Sequence, residues 1–454
     1  MHPAPDPEIL AAIFKAYDIR GLYPDQIDEP VARLVGNAFV GFTGADRVLV
    51  GRDARPSSEP LAEAFAEGAR VAGADVVDLG LASTDLVYFA AGMLDAPAAM
   101  FTASHNPAAY NGIKLCRAGA APVGEESGLR QIQAMVAEGL VERGPEPGRL
   151  ERRDLLGAFV AHVRSFVDLE ALRPLRVVSD TANGVGGLIV PAVFSGLPME
   201  LSMLFAELDG TFPNHPADPI DPRNLVDLQR EVLARGADVG LAFDGDADRV
   251  FLVDDTAVPV SGSTTTAILA RAMLERSPGS HVVHNCICSR AVPEIIRECG
   301  GIPVRTRVGH SFIKGVMAET DAVFGGEHSA HYYFRDNFRA DSGIIAALIV
   351  LEQLSKAEVP LSALRVPYER YAASGEINRR VLDPAAVIET VATAFPGARL
   401  DRIDGLTVEF DDWWFNLRAS NTEPLLRLNV EAPDAPTCAD RTAEVLAVVG
   451  GEEH

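Results

Sequence analysis

Short apolar runs that break into polar turn residues and then into amphipathic stretches recur along the chain: RVLVGRDARPSS from Arg47, LRVVSDTANGVGG from Leu175 and HVVHNCICSRAVPEII from His281. Each reads as a strand feeding a helix, because turn formers bound the apolar run and the spacing behind them changes to a helical period. Downstream of each lies a second apolar run that opens into a distinctive loop: APAAMFTASHNP, ADVGLAFDGDADR and TDAVFGGEHSAH. The unit returns roughly every hundred residues. That pattern predicts three similar mixed α/β domains, each presenting one loop at the carboxyl end of a strand, where open α/β sheets place their ligand groups. Beyond Val366 the character changes: GEINRRV, LTVEFDDWWFNLRAS and LLRLNVEA alternate like antiparallel strands, with helical stretches at Pro384 to Ala394 and Thr437 to Val449. These predict a smaller C-terminal α+β domain, with Trp413 and Trp414 shared between its core and an exposed face. The expected boundaries are 1–150, 151–256, 257–366 and 367–454.

Composition narrows the function classes. A chain of 454 residues with 48% hydrophobic content can fill several cores, and its formal charge of −24 argues against binding nucleic acid or an anionic membrane. The five cysteines, Cys116, Cys286, Cys288, Cys299 and Cys438, form no C-x-x-C pair and read as reduced thiols. Cys286 and Cys288 lack a second pair that would complete a soft-metal site. The opening MHPAPDPEILAAIFKAYDIRG has neither a basic nor an apolar leader segment, and the longest apolar run, Ile344 to Leu351, is far shorter than the roughly 20 residues of a membrane span. A cytoplasmic protein is expected.

Two motifs invite chemical readings. The glycines of NGVGG after Val178 lack the last glycine of a dinucleotide fingerprint, since Ile189 stands in its place, so they read as a tight turn before a helix. FDGDADR sets Asp244, Asp246 and Asp248 at alternate positions, three hard oxygen ligands suited to Mg²⁺. A calcium EF-hand needs Gly and Glu where Arg249 and Asp255 stand. An aspartyl-phosphate enzyme of the haloacid-dehalogenase type needs Thr where Asp248 stands. A bare acidic turn is disfavoured, because three crowded carboxylates repel one another unless a cation offsets them. With Ser104 in TASHNP presenting an exposed hydroxyl, and Lys114 and Arg249 in neighbouring motifs, the parts are those of phosphoryl transfer.

TASHNP, DGDADR, GEHSAH and RASNTEPLLRLNVEA, in this order from FKAYDIRG onward, resemble the α-D-phosphohexomutase superfamily, and the chain is most similar to its bacterial phosphomannomutase/phosphoglucomutase branch. The resemblance covers essentially the full length. It implies three similar α/β domains around a central cleft plus the C-terminal domain. It implies an isomerase that interconverts hexose 6-phosphate and hexose 1-phosphate, of mannose and also of glucose, through a phosphoserine at Ser104 and a 1,6-bisphosphate intermediate. Mg²⁺ would be held by Asp244, Asp246, Asp248 and the group on Ser104, with glucose 1,6-bisphosphate or mannose 1,6-bisphosphate as activator. Two phosphate dianions about 6 Å apart repel by about 11 kcal/mol at an effective dielectric near 20, so local cations are required despite the acidic whole. Arg20, Lys114 and Arg249 are the candidates near the serine.

The same resemblance implies that Arg418, Ser420, Asn421 and Thr422 clamp the phosphate that is not being transferred, with Arg427 either sharing that role or pairing at the surface. Glu327 and Ser329 contact sugar hydroxyls, and Tyr17 lines the site with Lys15. His310 and His331 lie near the sugar as proton shuttles, with Lys114 and Arg20 by the attacking oxygen. His105 orients the serine loop. Ile287 departs from the pattern, since relatives often carry Lys there. His328 and Ala330 stand where many relatives have Met and Gly. The alternatives are a phosphoglucosamine mutase, a branch that usually reads GEQSGH, and a catalytically silent sugar-phosphate binder. A monomer or dimer acting on small hexose phosphates is expected, with no nucleic-acid or membrane partner.

Overall fold

A strand whose side chains are apolar at every position must be covered on both faces, and the first sheet has such a strand at its centre, the fully buried run Ala98–Phe101. The computed structural model describes residues 6–140, 146–419 and 425–453. The chain divides into two units, Met1–Val260 with Ser329–Leu364, and Ser261–His328 with Arg365–His454.

In the first unit, β1 (Ile19–Leu22), β2 (Arg47–Arg52), β3 (Asp75–Leu81), β4 (Ala98–Phe101), β5 (Tyr110–Cys116) and β6 (Leu150–Arg152) form a sheet in the order β1-β5-β4-β2-β3-β6. The β6-β3-β2-β4 pairs are parallel and the β4-β5-β1 pairs antiparallel. Phe39 from helix Glu29–Thr43, Phe65 from helix Ser58–Val71 and Phe101 from β4 meet with ring centroids 5.5–6.1 Å apart in the core on one face. The antiparallel return of β5 against β4 turns the TASHNPAA stretch into a loop held at both ends.

The second sheet runs β11-β10-β9-β7-β8, from β7 (Leu175–Asp180), β8 (Met199–Leu204), β9 (Val239–Phe243), β10 (Val250–Asp254) and β11 (Pro259–Val260). Phe243 at the end of β9 pairs with Val250 at the start of β10, so DGDADR is the loop of an antiparallel hairpin. NGVGG is a turn with Asn183 at φ 59°, followed by helix Gly186–Phe194. The apolar run Ile344 to Leu351 lies in helix Gly343–Ala357 and is buried in protein. Its first residue lies so near Arg249 that a Cβ on Gly343 would come within 2.7 Å of the Arg249 carbonyl carbon. Among the described residues no helix is long and apolar enough to cross a membrane.

In the second unit, β12 (His281–Asn285), β13 (Ile302–Thr306) and β14 (Phe324–Gly326) are parallel in the order β13-β12-β14. The C-terminal region is an antiparallel sheet of Arg399–Asp401, Leu406–Glu409, Trp414–Ala419, Leu425–Ala432, Ala372–Arg380 and Glu452–Glu453, in that order. Helices Pro384–Ala394 and Ala435–Val449 pack there, as their spacing predicts. The expected division of the tryptophans between core and exposed face is corrected: Trp413 is 3% exposed and Trp414 4%. Trp413 stacks on Phe410 with centroids 4.7 Å apart. Trp414 donates its indole N–H to Glu431 Oε1 at 2.8 Å, and the Arg290 backbone N–H donates to the same oxygen. Strand alternation implies a wet face only where nothing covers it.

Candidate active site

Ser104 follows β4 at φ 50°, a left-handed conformation uncommon for serine and costing on the order of 1–3 kcal/mol. Its backbone N–H donates to Thr102 Oγ1 at 2.9 Å. The expected exposed hydroxyl is corrected, because Ser104 is only 5% exposed. The turn swings Oγ inward, where it donates to Asp244 Oδ2 at 2.8 Å and accepts from Arg249 Nη2 at 3.2 Å. Arg249 Nη2 also donates to His105 Nδ1 at 2.7 Å, which makes that nitrogen an acceptor. Burial, then the charges of Arg249 and Arg20, hold the imidazole well below the usual histidine range. His105 is therefore a neutral brace at pH 7.

The hairpin loop between β9 and β10 reaches Ser104 because Gly245 has no side chain: a Cβ there would lie 2.6 Å from the Ser104 carbonyl oxygen. Asp244, Asp246 and Asp248 are all buried, with candidate ligand oxygens within 4.8 Å of one another. Lys114 Nζ, carried by β5, donates to Asp246 Oδ2 and Asp248 Oδ2 at 2.7 Å each, and Arg249 donates to Asp244 Oδ2 at 2.9 Å. Burial pushes the Asp244 carboxyl well up. Burial acts the same way on Asp246, but the Lys114 ammonium and the Thr84 hydroxyl outweigh it and hold Asp246 below the ordinary range. Burial alone would lower Lys114. The two carboxylates instead raise it well above the usual lysine range, so it keeps its proton at neutral pH.

This donor set fits a hard divalent cation. Asp246 Oδ1 and Asp248 Oδ1 are buried and, among the described residues, have no hydrogen-bond partner. Three carboxylates against one ammonium and one guanidinium leave a negative excess that a cation would reverse. Such oxygens are costly to bury unless a cation or donor meets them. Cys286 and Cys288 belong to no such group among the described residues.

Around this centre the first unit gathers several of the other predicted residues. Arg20 donates to Asn106 Oδ1 at 2.6 Å and pairs with Asp18. Tyr17 is half-buried just before β1, where it precedes Asp18 in the chain. His331 shares close ligand atoms with Asp248 and Asp341, lies 3.2 Å from Ser329 Oγ through Nδ1, and stacks on Tyr333. In the second unit Glu327, 2% exposed, accepts at Oε2 from the Gly309 N–H at 3.2 Å and Asn285 Nδ2 at 3.1 Å. His310 opens helix His310–Thr320. Arg418 donates to Glu376 Oε2 at 2.8 Å, and Arg427 lies 3.7 Å from Glu376 Oε1. Ser420, Asn421 and Thr422 lie outside the described residues. Ile287 and His328 both line a cavity of about 220 Å³, and His328 Nδ1 lies 3.3 Å from Ser263 Oγ.

Three residues escaped the sequence reading. Thr84 Oγ1 donates to Asp246 Oδ2 at 2.6 Å, although its place beside Ser83 reads only as the cap of helix Thr84–Met93. Glu376 sits between two arginines. Arg55, in GRDARPSS, carries a fully buried guanidinium next to the Ser104 loop. A D-x-R pair behind a strand was the available signal.

Models of the phosphoglucomutase/phosphomannomutase alpha/beta/alpha domains I, II and III match residues 11–141, 157–257 and 261–371, and the model of the C-terminal domain of those proteins matches 376–448. Phosphohexose mutases of Xanthomonas campestris pv. campestris (strain ATCC 33913) are 41% identical over 443 residues, covering 96% of this chain and 99% of the relative. The phosphomannomutase of Escherichia coli K12 is 39% identical over 448 residues, covering 96% and 98%. A solved phosphoglucomutase/phosphomannomutase family protein of Burkholderia thailandensis superposes with a TM-score of 0.88 at 33% identity, covering 97% of this chain and 99% of that one.

Proposed function

The chain belongs to the phosphoglucomutase/phosphomannomutase family and is an isomerase acting on phosphohexoses, and we propose that Ser104 is the carrier through which it moves a phosphoryl group. The reaction interconverts hexose 6-phosphate and hexose 1-phosphate, of mannose and also of glucose. The observation that carries this reading is the Ser104 hydroxyl bonded to Asp244 within a buried cluster of three aspartates, Lys114 and Arg249.

In this reading the working enzyme carries phosphate on Ser104. A sugar hydroxyl attacks phosphorus, its new P–O bond forms as the P–Oγ bond breaks, its proton passes to a base, and Ser104 Oγ takes up a proton as it leaves. The resulting 1,6-bisphosphate turns end for end. Ser104 Oγ then gives up its proton as it takes the phosphoryl group from the other position, and the sugar oxygen released there regains a proton. Lys114 and Arg249 stay charged throughout and face the dianion, so they serve as fixed electrostatic support. His331 and His310 are the groups we assign to proton movement near the sugar, and Arg20 is a fixed positive charge beside the attacking oxygen. Arg418, Ser420, Asn421, Thr422 and Arg427 hold the phosphate that stays, Glu327 and Ser329 accept and donate to sugar hydroxyls, and Tyr17 lines the approach. Asp244, Asp246 and Asp248, with the group on Ser104, hold Mg²⁺, which when bound supplies charge neutralisation for the transferring phosphoryl group. A hexose 1,6-bisphosphate restores the phosphoserine when it is lost.

The test is a coupled assay with mannose 1-phosphate and glucose 1-phosphate in the presence of glucose 1,6-bisphosphate, run beside glucosamine 1-phosphate and joined to phosphopeptide mapping. Turnover of the first two with label on Ser104, stable to hydroxylamine, is expected. Near-full turnover by Ser104→Ala sinks the carrier role. Preference for the glucosamine phosphate moves the chain to that branch, and binding without turnover makes it a silent binder.

A further inference from the structure

We infer that Arg55 is the positioning residue of the phosphoryl carrier: its guanidinium gathers the backbone of the Ser104 loop and thereby aims Oγ at Asp244. This rests on the reading of Ser104 as the carrier. Arg55 is 2% exposed, and its side chain is not exposed at all. Nη2 donates to the carbonyls of Ser104 at 2.8 Å and Asn106 at 2.7 Å. Nη1 donates to those of Pro107 at 2.8 Å and Tyr110 at 3.0 Å, and Nε donates to Asp53 Oδ2 at 3.1 Å. A guanidinium has five N–H donors, and all five are spent here, four of them on one loop.

That arrangement answers a problem the loop poses. A serine at φ 50° relaxes toward ordinary conformations unless its surroundings fix it, and relaxation would rotate Oγ off Asp244. Four carbonyls converging on one planar cation fix the loop from beneath. The cation is itself fixed: Asp53 Oδ1 accepts from the Arg55 backbone N–H at 3.0 Å and from Ser58 Oγ at 2.5 Å, and the Phe212 ring lies 4.9 Å from the guanidinium carbon. Lysine would keep the charge but would present three donors from a single point, which cannot span these carbonyls.

Arg55→Lys is measured for kcat, KM, melting temperature and the ³¹P resonance of phospho-Ser104. The expected result is kcat about 10- to 100-fold lower with KM within about threefold of wild type, and a displaced or broadened ³¹P line. Phe212→Leu, which loosens the cover over Arg55 and also the packing beside Gly245, is expected to shift kcat the same way by about 3- to 10-fold with a displaced ³¹P line, and it carries the test should Arg55→Lys yield no folded protein. Wild-type kcat and ³¹P line in the folded Arg55→Lys protein, or wild-type kcat in Phe212→Leu, overturns the inference. So does a kcat loss fully explained by a smaller folded fraction. Absence of phosphoserine from the wild-type protein overturns the carrier reading and this inference with it, whereas phosphoserine in the wild type beside an indifferent Arg55→Lys overturns the inference alone.

Discussion

Ser104 Oγ lies 2.8 Å from Asp244 Oδ2, although 140 residues separate them and they hang from different sheets. The contact joins the Ser104 loop to the loop of the three aspartates, so the two cannot be tuned independently. Asp244→Asn keeps the shape but removes a charge from the cation site and the strong acceptor from the serine. Turnover is expected to fall by at least about 10²-fold. Phosphoserine formation from glucose 1,6-bisphosphate should slow in parallel. Steady-state kinetics and time-resolved phosphopeptide mapping check both. An Asn variant within threefold of wild type in both would show that the contact is incidental.

Lys114 stands where a second cation would otherwise be needed. Its ammonium touches two of three buried carboxylates, and removing one partner from a buried charge group costs about 3–5 kcal/mol. Lys114→Met is therefore expected to melt several degrees below wild type in chelator and to recover a large part of the loss when Mg²⁺ is added. Wild type should gain less from Mg²⁺, because its carboxylates are already partly offset. Scanning fluorimetry with and without Mg²⁺ decides it, and an equal Mg²⁺ gain in both proteins rules the compensation out.

How much of this was legible depended on whether the cause was local. The three strand-and-loop units and the Asp244-Asp246-Asp248 spacing were readable because hydrophobic period and ligand spacing are properties of short segments. Burial of the Ser104 hydroxyl was not, since it requires a left-handed backbone and a partner on another sheet. The division of Trp413 and Trp414 between core and face was misread because alternation cannot say whether a strand's second face is covered. Arg55 left almost no trace, because four of its five acceptors are backbone carbonyls, which look alike in every sequence.

Glu376 accepts from Arg418 at 2.8 Å and faces Arg427 at 3.7 Å, so a carboxylate occupies the charge environment that a phosphate would seek. A dianion bound by these arginines must displace or share them. Glu376→Gln removes the competitor. The dissociation constant for inorganic phosphate, and KM for mannose 1-phosphate, are expected to fall by about two- to fivefold, on the scale of an exposed ion pair worth up to about 1 kcal/mol. Isothermal titration and kinetics check this. Weaker phosphate binding in Glu376→Gln would instead mean that Glu376 orients the arginines for their ligand.

His215 gives the fold a pH-dependent prop for the turn that meets the aspartate loop. Its Nε2 lies 3.0 Å from Asp180 Oδ2 and its Nδ1 lies 2.8 Å from the Pro216 carbonyl, so both ring nitrogens face acceptors. Burial pushes this imidazole down, but the hydrogen bond and charge of Asp180 outweigh it, and the folded value stands above the ordinary 6.5. A group raised on folding stabilises fully below its unfolded value and loses that contribution as pH rises through its folded value. Asp180 also accepts from the Ala182 N–H at 2.9 Å, at the start of the turn whose Val185 N–H donates to the Gly245 carbonyl at 3.1 Å. The melting temperature of wild type should exceed that of His215→Gln by about 1–2 °C below pH 6.5, with the gap shrinking as pH rises past the raised value. A gap that holds constant or widens toward alkaline pH would mean that the pair contributes through packing, with the imidazole neutral.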